Sequence, residues 1–410
     1  MFWWFVFWML VWGTIGGVFT PRFYVRRNKD VSQARLAGAS MGAATGPFGL
    51  IPLWRRTPSL TTGWLLAPSI LALVLFMAAF ALSDPSNLCV ANPGYVVSQV
   101  GNGLIMGTIY GLMAMGLALI FSILGVVSFA HGEFYMIGGM VVYFFTAVWF
   151  PEASPILAVL AACLVTLAIG ASFEKLFLTP IYNGQVERPI EYTILVTFGL
   201  AFFLQYLVQA IVGANPVKAQ RFYDFPILRW PSADDPWLVR TTAGNLTLFD
   251  TISISNPRFM AALISLVVLL LLLLFLYKTW TGKAVRAVAQ DRQAAAVAGI
   301  NPNRMNTLAF AVGCMLAGLS GAVLVQAFSW LPQVGMIPAL RSFVIIVLGG
   351  LGSLPGAFVG GIILGVVESM GVGCIPDPTR AAAYLPAYGM IILTLVLLLK
   401  PTGLFGGRQL

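Results

Sequence analysis

Charge is what this sequence has least of: Asp, Glu, Lys and Arg make up 9% of its 410 residues, where a soluble domain carries about 25%. So few charged groups cannot furnish the polar shell of a soluble protein this long, which excludes a soluble enzyme. At 59% hydrophobic residues the chain is not a disordered one either. The one histidine, His131, excludes a three-histidine metal site within the chain. Cys89, Cys163, Cys314 and Cys374 form no Cys-x-x-Cys pair, which argues against a zinc or redox motif and against a disulfide scaffold. No Gly-x-x-x-x-Gly-Lys-Ser/Thr occurs, so the chain carries no P-loop of its own. His-Glu-x-x-His is absent too, and with it that metalloprotease chemistry. Neither a cofactor nor a metal is expected.

What is present is a series of charge-free runs: 57–83, 85–132, 134–151, 153–173, 192–217, 259–277, 305–340, 342–367 and 381–399. A spanning helix needs about 20 apolar residues. The chain therefore reads as an all-α, polytopic transmembrane helix bundle. Gly and Pro breaks divide it into eleven membrane segments: 2–19, 64–82, 102–122, 131–150, 156–178, 193–213, 258–278, 305–328, 338–353, 355–372 and 384–400. The ninth is short for a span and reads as a half-helix or a re-entrant piece.

Lys and Arg placement orients these segments. Loop 20–63 holds Arg22, Arg26, Arg27, Lys29, Arg35, Arg55 and Arg56 against Asp30 alone, and loop 279–304 holds Lys283, Arg286, Arg292 and Arg304 against Asp291. Both are placed in the cytoplasm, as is the tail with Lys400 and Arg408; loop 214–257, nearly balanced in charge, falls outside. The aromatic first segment (Trp3, Trp4, Phe5, Phe7, Trp8, Trp12) lacks a basic leader and a small-residue cleavage site, so it reads as a retained helix with an outside N-terminus.

Three patterns stand out within the membrane segments. Gly103, Gly107 and Gly111 lie four apart, as do Gly352, Gly356 and Gly360, and Ala357, Gly361, Gly365 and Ser369. Each set stacks small residues on one helix face and lets backbones approach where the hydrophobic effect cannot drive association. Next, Ser128-Phe129-Ala130-His131-Gly132-Glu133 follows a long charge-free stretch, with Gly125, Gly138 and Gly139 nearby. An ionisable pair there points to a function and the glycines permit a broken helix. Glu133 would equally suit the dipole at a helix N-terminus; capping and pathway lining are compatible roles. Last, 283–298 holds seven alanines, which predicts a short surface helix. Gly299 follows as its C-terminal cap, then Asn301 and Pro302 open the next helix. A small-faced helix of this kind can enter a groove on another protein. Gly349-Gly350-Leu351-Gly352 is glycine-rich but has no lysine beside it and is not a phosphate cradle.

Taken in order, these segments resemble a known family. Gly107-Thr108-Ile109-Tyr110-Gly111-Leu112, Ser128 to Glu133, Gly282 to Ile300, Val347 to Gly356 with Glu368-Ser369, and Lys400-Pro401-Thr402-Gly403-Leu404 are similar to the LivH-type permeases of branched-chain amino-acid ABC transporters. Residues 98–405 carry the resemblance; 1–97, with two membrane segments and a basic loop, form an N-terminal extension. The family typically has Asn where Ser128 stands, and loop 214–257 is long for it.

The resemblance implies an inner-membrane permease that pairs with a second permease subunit. Two cytoplasmic ATP-binding subunits would dock on it, and an external substrate-binding protein would feed it a small molecule. Phe129, Ala130, His131, Gly132, Glu133, Gly349, Gly350 and Gly352 are the expected translocation path or gate. Gly282, Arg286, Asp291, Ala294, Gly299 and Ile300 are the expected ATPase-coupling residues. The chain itself does no bond chemistry. Alternatives are an importer of the same class for urea or short amides, and a proton-coupled secondary transporter using His131 and Glu133 as a relay.

Overall fold

The computed structural model describes Cys89 and residues 92–405, apart from 126–127, 153, 183, 220–239, 243–244, 249–251, 375–381 and 401. The expected segments 2–19 and 64–82 and the basic loop 20–63 lie outside the described residues.

Among the described residues eleven helices of six residues or more follow in chain order: α1 Pro93–Leu124, α2 His131–Phe144, α3 Pro155–Phe173, α4 Pro189–Val212, α5 Asn256–Lys278, α6 Trp280–Gln290, α7 Arg292–Val297, α8 Pro302–Leu324, α9 Met336–Gly349, α10 Leu354–Gly373 and α11 Leu385–Leu399. Helices α2 and α3 each run on into a π turn, Phe145–Trp149 and Glu174–Leu178. Seven helices among the described residues are long and apolar enough to cross a membrane, and α9 and most of α11 form shorter apolar pieces. At 1.5 Å per residue, α9 is about 21 Å long, less than the roughly 30 Å of hydrocarbon it would have to cross. The expectation for the ninth segment therefore holds.

Two expectations on boundaries need correction. Helix α1 begins at Pro93 rather than 102. Asn92 accepts a hydrogen bond from the Gly94 amide at 3.0 Å, and the proline occupies the first helical position, where its missing N–H costs nothing. Residues 283–298 are two helices rather than one, broken at Asp291. Loop 214–257 also holds a small antiparallel sheet in the order β1-β2-β3, with β1 Arg240–Thr242, β2 Asn245–Leu248 and β3 Ile252–Ser255.

The chain forms two compact units, residues 101–366 and residues 1–100 with 367–410. In the larger unit α8 is the hub, with 83% of its apolar window buried. It receives α2 and α3 through residues too small to hold them apart. A Cβ on Gly321 or Gly138 would run into the backbone of Tyr135 or Gly318, and one on Gly170 would lie 2.8 Å from Cys314 Cβ. Helix α10 uses two small faces, as its glycine spacing predicts: Gly361 and Gly365 meet α1 at Gly111 and Gly103, while Gly356 and Gly360 meet α9 at Gly349 and Ile345. Helices α4 and α5 are only 11% and 22% buried over their apolar windows, so most of their leucine, phenylalanine and valine surface faces outward.

In the smaller unit Cys89 and Cys374 form a disulfide across 285 positions, a pairing that no local spacing pattern announces. Ser369 donates to the Gln99 carbonyl at 2.7 Å. The ending Lys400-Pro-Thr-Gly-Leu folds back on itself, with Lys400 Nζ donating to the Leu404 carbonyl at 2.7 Å.

Candidate functional site

The 128–133 motif forms the turn into α2 and its first helical residues. His131 is 1% exposed and Glu133 6%. The Nε2 of His131 lies 2.9 Å from the Met113 carbonyl on α1, and Gly116 passes close beneath the imidazole. Gly132 lies so close to Gly335 and Ala339 that a Cβ there would come within 2.7 Å of the Ala339 side chain. Phe129 is 45% exposed and its ring meets Phe198 of α4 at 5.3 Å; Ala130 is buried. Ser128 Oγ, His131 Nδ1 and Glu133 Oε2 are all buried and lack a hydrogen-bond partner among the described residues. An unsatisfied buried polar atom costs about 1–3 kcal/mol. Three of them within six residues make this a turn that structural capping alone does not explain.

Gly349, Gly350 and Gly352 lie at the turn between α9 and α10. Gly350 and Gly352 have φ of +104° and +82°, which admits no ordinary side chain without strain. Gly349 packs against the backbone of Gly356, and Gly352 faces Ser122 near the end of α1. The structure does not bring this turn and the 128–133 motif into direct contact.

The charged loop after α5 is held at every corner. Thr279 caps α6 by accepting from the Gly282 amide at 3.0 Å, and Gly282 packs on the backbone of Phe275 and Leu276. Arg286 donates to the Leu276 carbonyl at 3.1 Å and lies over the Tyr277 ring. Asp291 is extended, and its carboxylate accepts from the Gln293 and Ala294 amides at 2.8 and 2.9 Å. That carboxylate breaks the helix the alanines would otherwise continue, since a side-chain acceptor competes with the backbone for its amides. Gly299 has φ +84°. Its amide bonds to Ala296 and that of Ile300 to Ala295, both at 3.0 Å, a Schellman ending. Arg292 ties the loop to the bundle by donating to Asn303 at 2.8 Å and lying over Tyr182 at 4.2 Å. Nearby, buried Glu174 at the end of α3 accepts from Thr307 of α8. Ala294, Ala296 and Val297 remain outside, Val297 at 91% exposure. The loop presents a small apolar knob on a braced frame.

A feature that the sequence reading did not single out is a cavity of about 380 Å³ among α1, α2, α8, α9 and the linker after α8. Its walls include Met106, Met113, Tyr135 and Leu324, and its one charged lining residue is Arg341. The guanidinium lies 4.9 Å from the Tyr110 ring centre. The signal was available: Arg341 is the only charge between Arg304 and Glu368. His131 and Glu133 do not line this cavity. Met113, which His131 braces, and Tyr135, one turn beyond His131, do.

A family model described as "Branched-chain amino acid transport system / permease component" matches residues 99–400. The chain belongs to this permease family. Similar proteins include the high-affinity branched-chain amino acid permease LivH of Salmonella typhimurium, 30% identical over 322 residues, which are 76% of this chain and 96% of that protein. BraD of Pseudomonas aeruginosa is 30% identical over 323 residues, with the same coverage. The ribose import permease RbsC of Escherichia coli is more distant, at 22% over 317 residues, 75% of this chain and 87% of its own. No solved structure matches. The permease is thus a multi-pass inner-membrane subunit of an ABC importer, and not itself an enzyme.

Proposed function

We propose that the permease carries branched-chain amino acids inward, with a second permease subunit, two cytoplasmic ATP-binding subunits and an external binding protein. The observation that carries this reading is similarity to LivH and BraD over 96% of their length. The cavity supports it. A pocket walled largely by Met, Leu and Ile suits an aliphatic side chain, whereas a sugar needs a hydrogen-bond partner for each hydroxyl. Residues 1–97 are an extension outside the permease domain 98–405.

In this reading the 279–304 loop faces the cytoplasm and Ala294 to Ile300 enter a groove on the ATPase. Gly282, Arg286 and Asp291 fix the shape of the loop, and Arg292 passes its movement to α3 and α8. The orphaned polar atoms of Ser128, His131 and Glu133 lie where the spans rock around the path, ready to be met by water or substrate as they part. Gly349, Gly350 and Gly352 form a hinge at the end of the half-length helix α9.

Uptake into proteoliposomes holding the whole importer tests the reading. ATP-dependent accumulation of radiolabelled leucine, without accumulation of ribose or urea, is the expected result. Accumulation of urea or an amide in place of leucine would overturn the substrate assignment. Leucine uptake driven by a proton gradient without ATP would overturn the mechanism.

A further inference from the structure

We infer that Glu174 is the second seat of Arg292: when the ATP-binding subunits close, the guanidinium leaves Asn303 for the unpartnered oxygen of Glu174 and clamps the 279–304 loop to α3 and α8. The inference rests on the docking-loop reading above and adds the residue through which that loop drives the spans.

Glu174 is a carboxylate in an improbable place. It lies inside the apolar stretch Pro155–Tyr182 and is fully buried. An ionisable group held in a membrane span is costly and marks a functional position. One oxygen, Oε2, accepts from Thr307. The other, Oε1, has no hydrogen-bond partner among the described residues. A buried carboxylate oxygen left unpaired forfeits its water and gains nothing in return. Glu174 also opens the π turn Glu174–Leu178, and widened turns of this kind gather at functional sites.

The cation that can satisfy Oε1 is beside it. Arg292 acts electrostatically on both Glu174 and Tyr182. Its hydrogen bond nevertheless goes to Asn303, at 2.8 Å from Nη2, and its face lies 4.2 Å from the Tyr182 ring centre. That bond engages one edge of a guanidinium whose fork serves two acceptors. Thr307 stands between the two seats: its hydroxyl donates to Glu174 and lies 3.0 Å from the Asn303 carbonyl. Asn303 and Thr307 are four residues apart and share one face of α8. Arg292 therefore passes between the seats along about one helix turn, sliding over a flat ring that a planar cation crosses without losing its face contact.

Helix α7 is the lever. Arg292 is its first residue and Val297 its last, and the helix is about 9 Å long. Val297 is exposed and Ala295 between them is buried, so knob and guanidinium lie on either side of a pivot. A groove closing on Val297 rocks α7 about Ala295 and swings Arg292 at the other end. The same end of α8 carries a second idle group. Asn306 is fully buried, and neither its Oδ1 nor its Nδ2 has a partner among the described residues. A packed base with this many unmade hydrogen bonds is one of two arrangements of a bistable region.

The test uses the assembled importer in proteoliposomes with Arg292→Lys, which puts a primary amine on the same lever. Dicyclohexylcarbodiimide, an apolar reagent that enters membrane spans, joins Glu174 to that amine as an amide only where the two touch. The joined peptides are quantified by mass spectrometry, with the ATP-binding subunits empty and with them trapped closed by ATP and vanadate. The yield of the 174–292 link should rise several-fold on trapping; an unchanged yield would overturn the inference. A second arm reads ATP hydrolysis stimulated by loaded binding protein, relative to basal. Glu174→Gln and Arg292→Gln should each lower that ratio about tenfold, the loss expected when a charged hydrogen-bond partner is removed. The double variant should lose about tenfold as well, because one contact is lost only once. A loss near about a hundredfold would mean that the two residues act independently and would overturn the inference too. Co-purification of the ATP-binding subunits confirms assembly; if Glu174→Gln does not assemble, the cross-link, which keeps the carboxylate, decides. A link that rises on trapping, together with undiminished stimulation in Gly299→Val, would leave the second seat standing and fail the docking reading instead.

Discussion

Gly299→Val isolates the geometry of the docking loop from everything around it. A Cβ at Gly299 would meet nothing within 4 Å, so the substitution creates no clash and tests backbone conformation alone. The residue sits at φ +84°, where a Cβ costs about 1–2 kcal/mol, with a β-branched side chain at the upper end. The chain can escape that cost only by leaving the left-handed region. It then gives up the Gly299–Ala296 and Ile300–Ala295 hydrogen bonds, both 3.0 Å, at about 0.5–1.5 kcal/mol each. Either route costs about 2 kcal/mol, which lowers the population of the closed turn by a factor approaching 30. Nothing in the spans is touched, so the amount of permease in the membrane should not change. The assay is ATP hydrolysis by the reconstituted importer with and without loaded binding protein. Stimulation should fall about tenfold in Gly299→Val, within that population change. It should survive in Gly299→Asn, because asparagine tolerates the left-handed region. Normal stimulation and uptake in Gly299→Val would refute the assignment of this loop as the docking element.

Asp291→Ala should let α6 run on into α7; it removes a cap worth about 0.5–2 kcal/mol and should weaken ATPase stimulation while membrane levels hold, as read by the same assay and an immunoblot. Glu133→Gln should lower leucine uptake only in part and Glu133→Leu severely, with both variants assembling. Uptake by Glu133→Leu at the unsubstituted rate would reduce the motif to a structural turn. Gly138→Leu should abolish assembled protein, since its side chain would occupy the backbone of Gly318 and overpacking costs about 1–3 kcal/mol even where neighbours can yield; recovery of a normal complex after gentle solubilisation would contradict the crossing. Single cysteines at Asp235 and Val297 should react and fail to react, respectively, with an impermeant thiol reagent added from outside, and the reverse result would invert the orientation.

Much of the bundle was legible because membrane helices announce themselves by composition. Every described segment from 131–150 onward falls within a few residues of its expected bounds. The four-residue glycine spacings of α1 and α10 gave both contact faces of α10, since a small residue on a helix has little other reason to recur at that interval. The caps at Gly299 and Asn301 were legible because each answers a fixed backbone requirement. Three features were not. Asp291 splits a helix that seven alanines favour, because two amide hydrogen bonds accepted by one carboxylate outweigh small differences in propensity. Arg341 reads in the sequence only as a boundary between charge-free runs, and the convergence of α1, α2, α8 and α9 is what places it at a cavity. The His131–Met113 contact depends on how the chain returns from α1 into α2, a tertiary fact that leaves no local mark.

The Cys89–Cys374 bond bears on how the protein is made. Its partners bracket all but one of the described helices, so the ring it closes encloses α1 to α10 and leaves α11 outside. A growing chain cannot offer Cys89 its native partner until α10 has emerged and been inserted the right way round, because both thiols must reach the same oxidising compartment. A chain with an odd number of misplaced crossings between them strands its cysteines on opposite faces and stays reduced. The oxidised fraction, read on a non-reducing gel, is therefore a direct count of chains whose insertion kept the two ends in step.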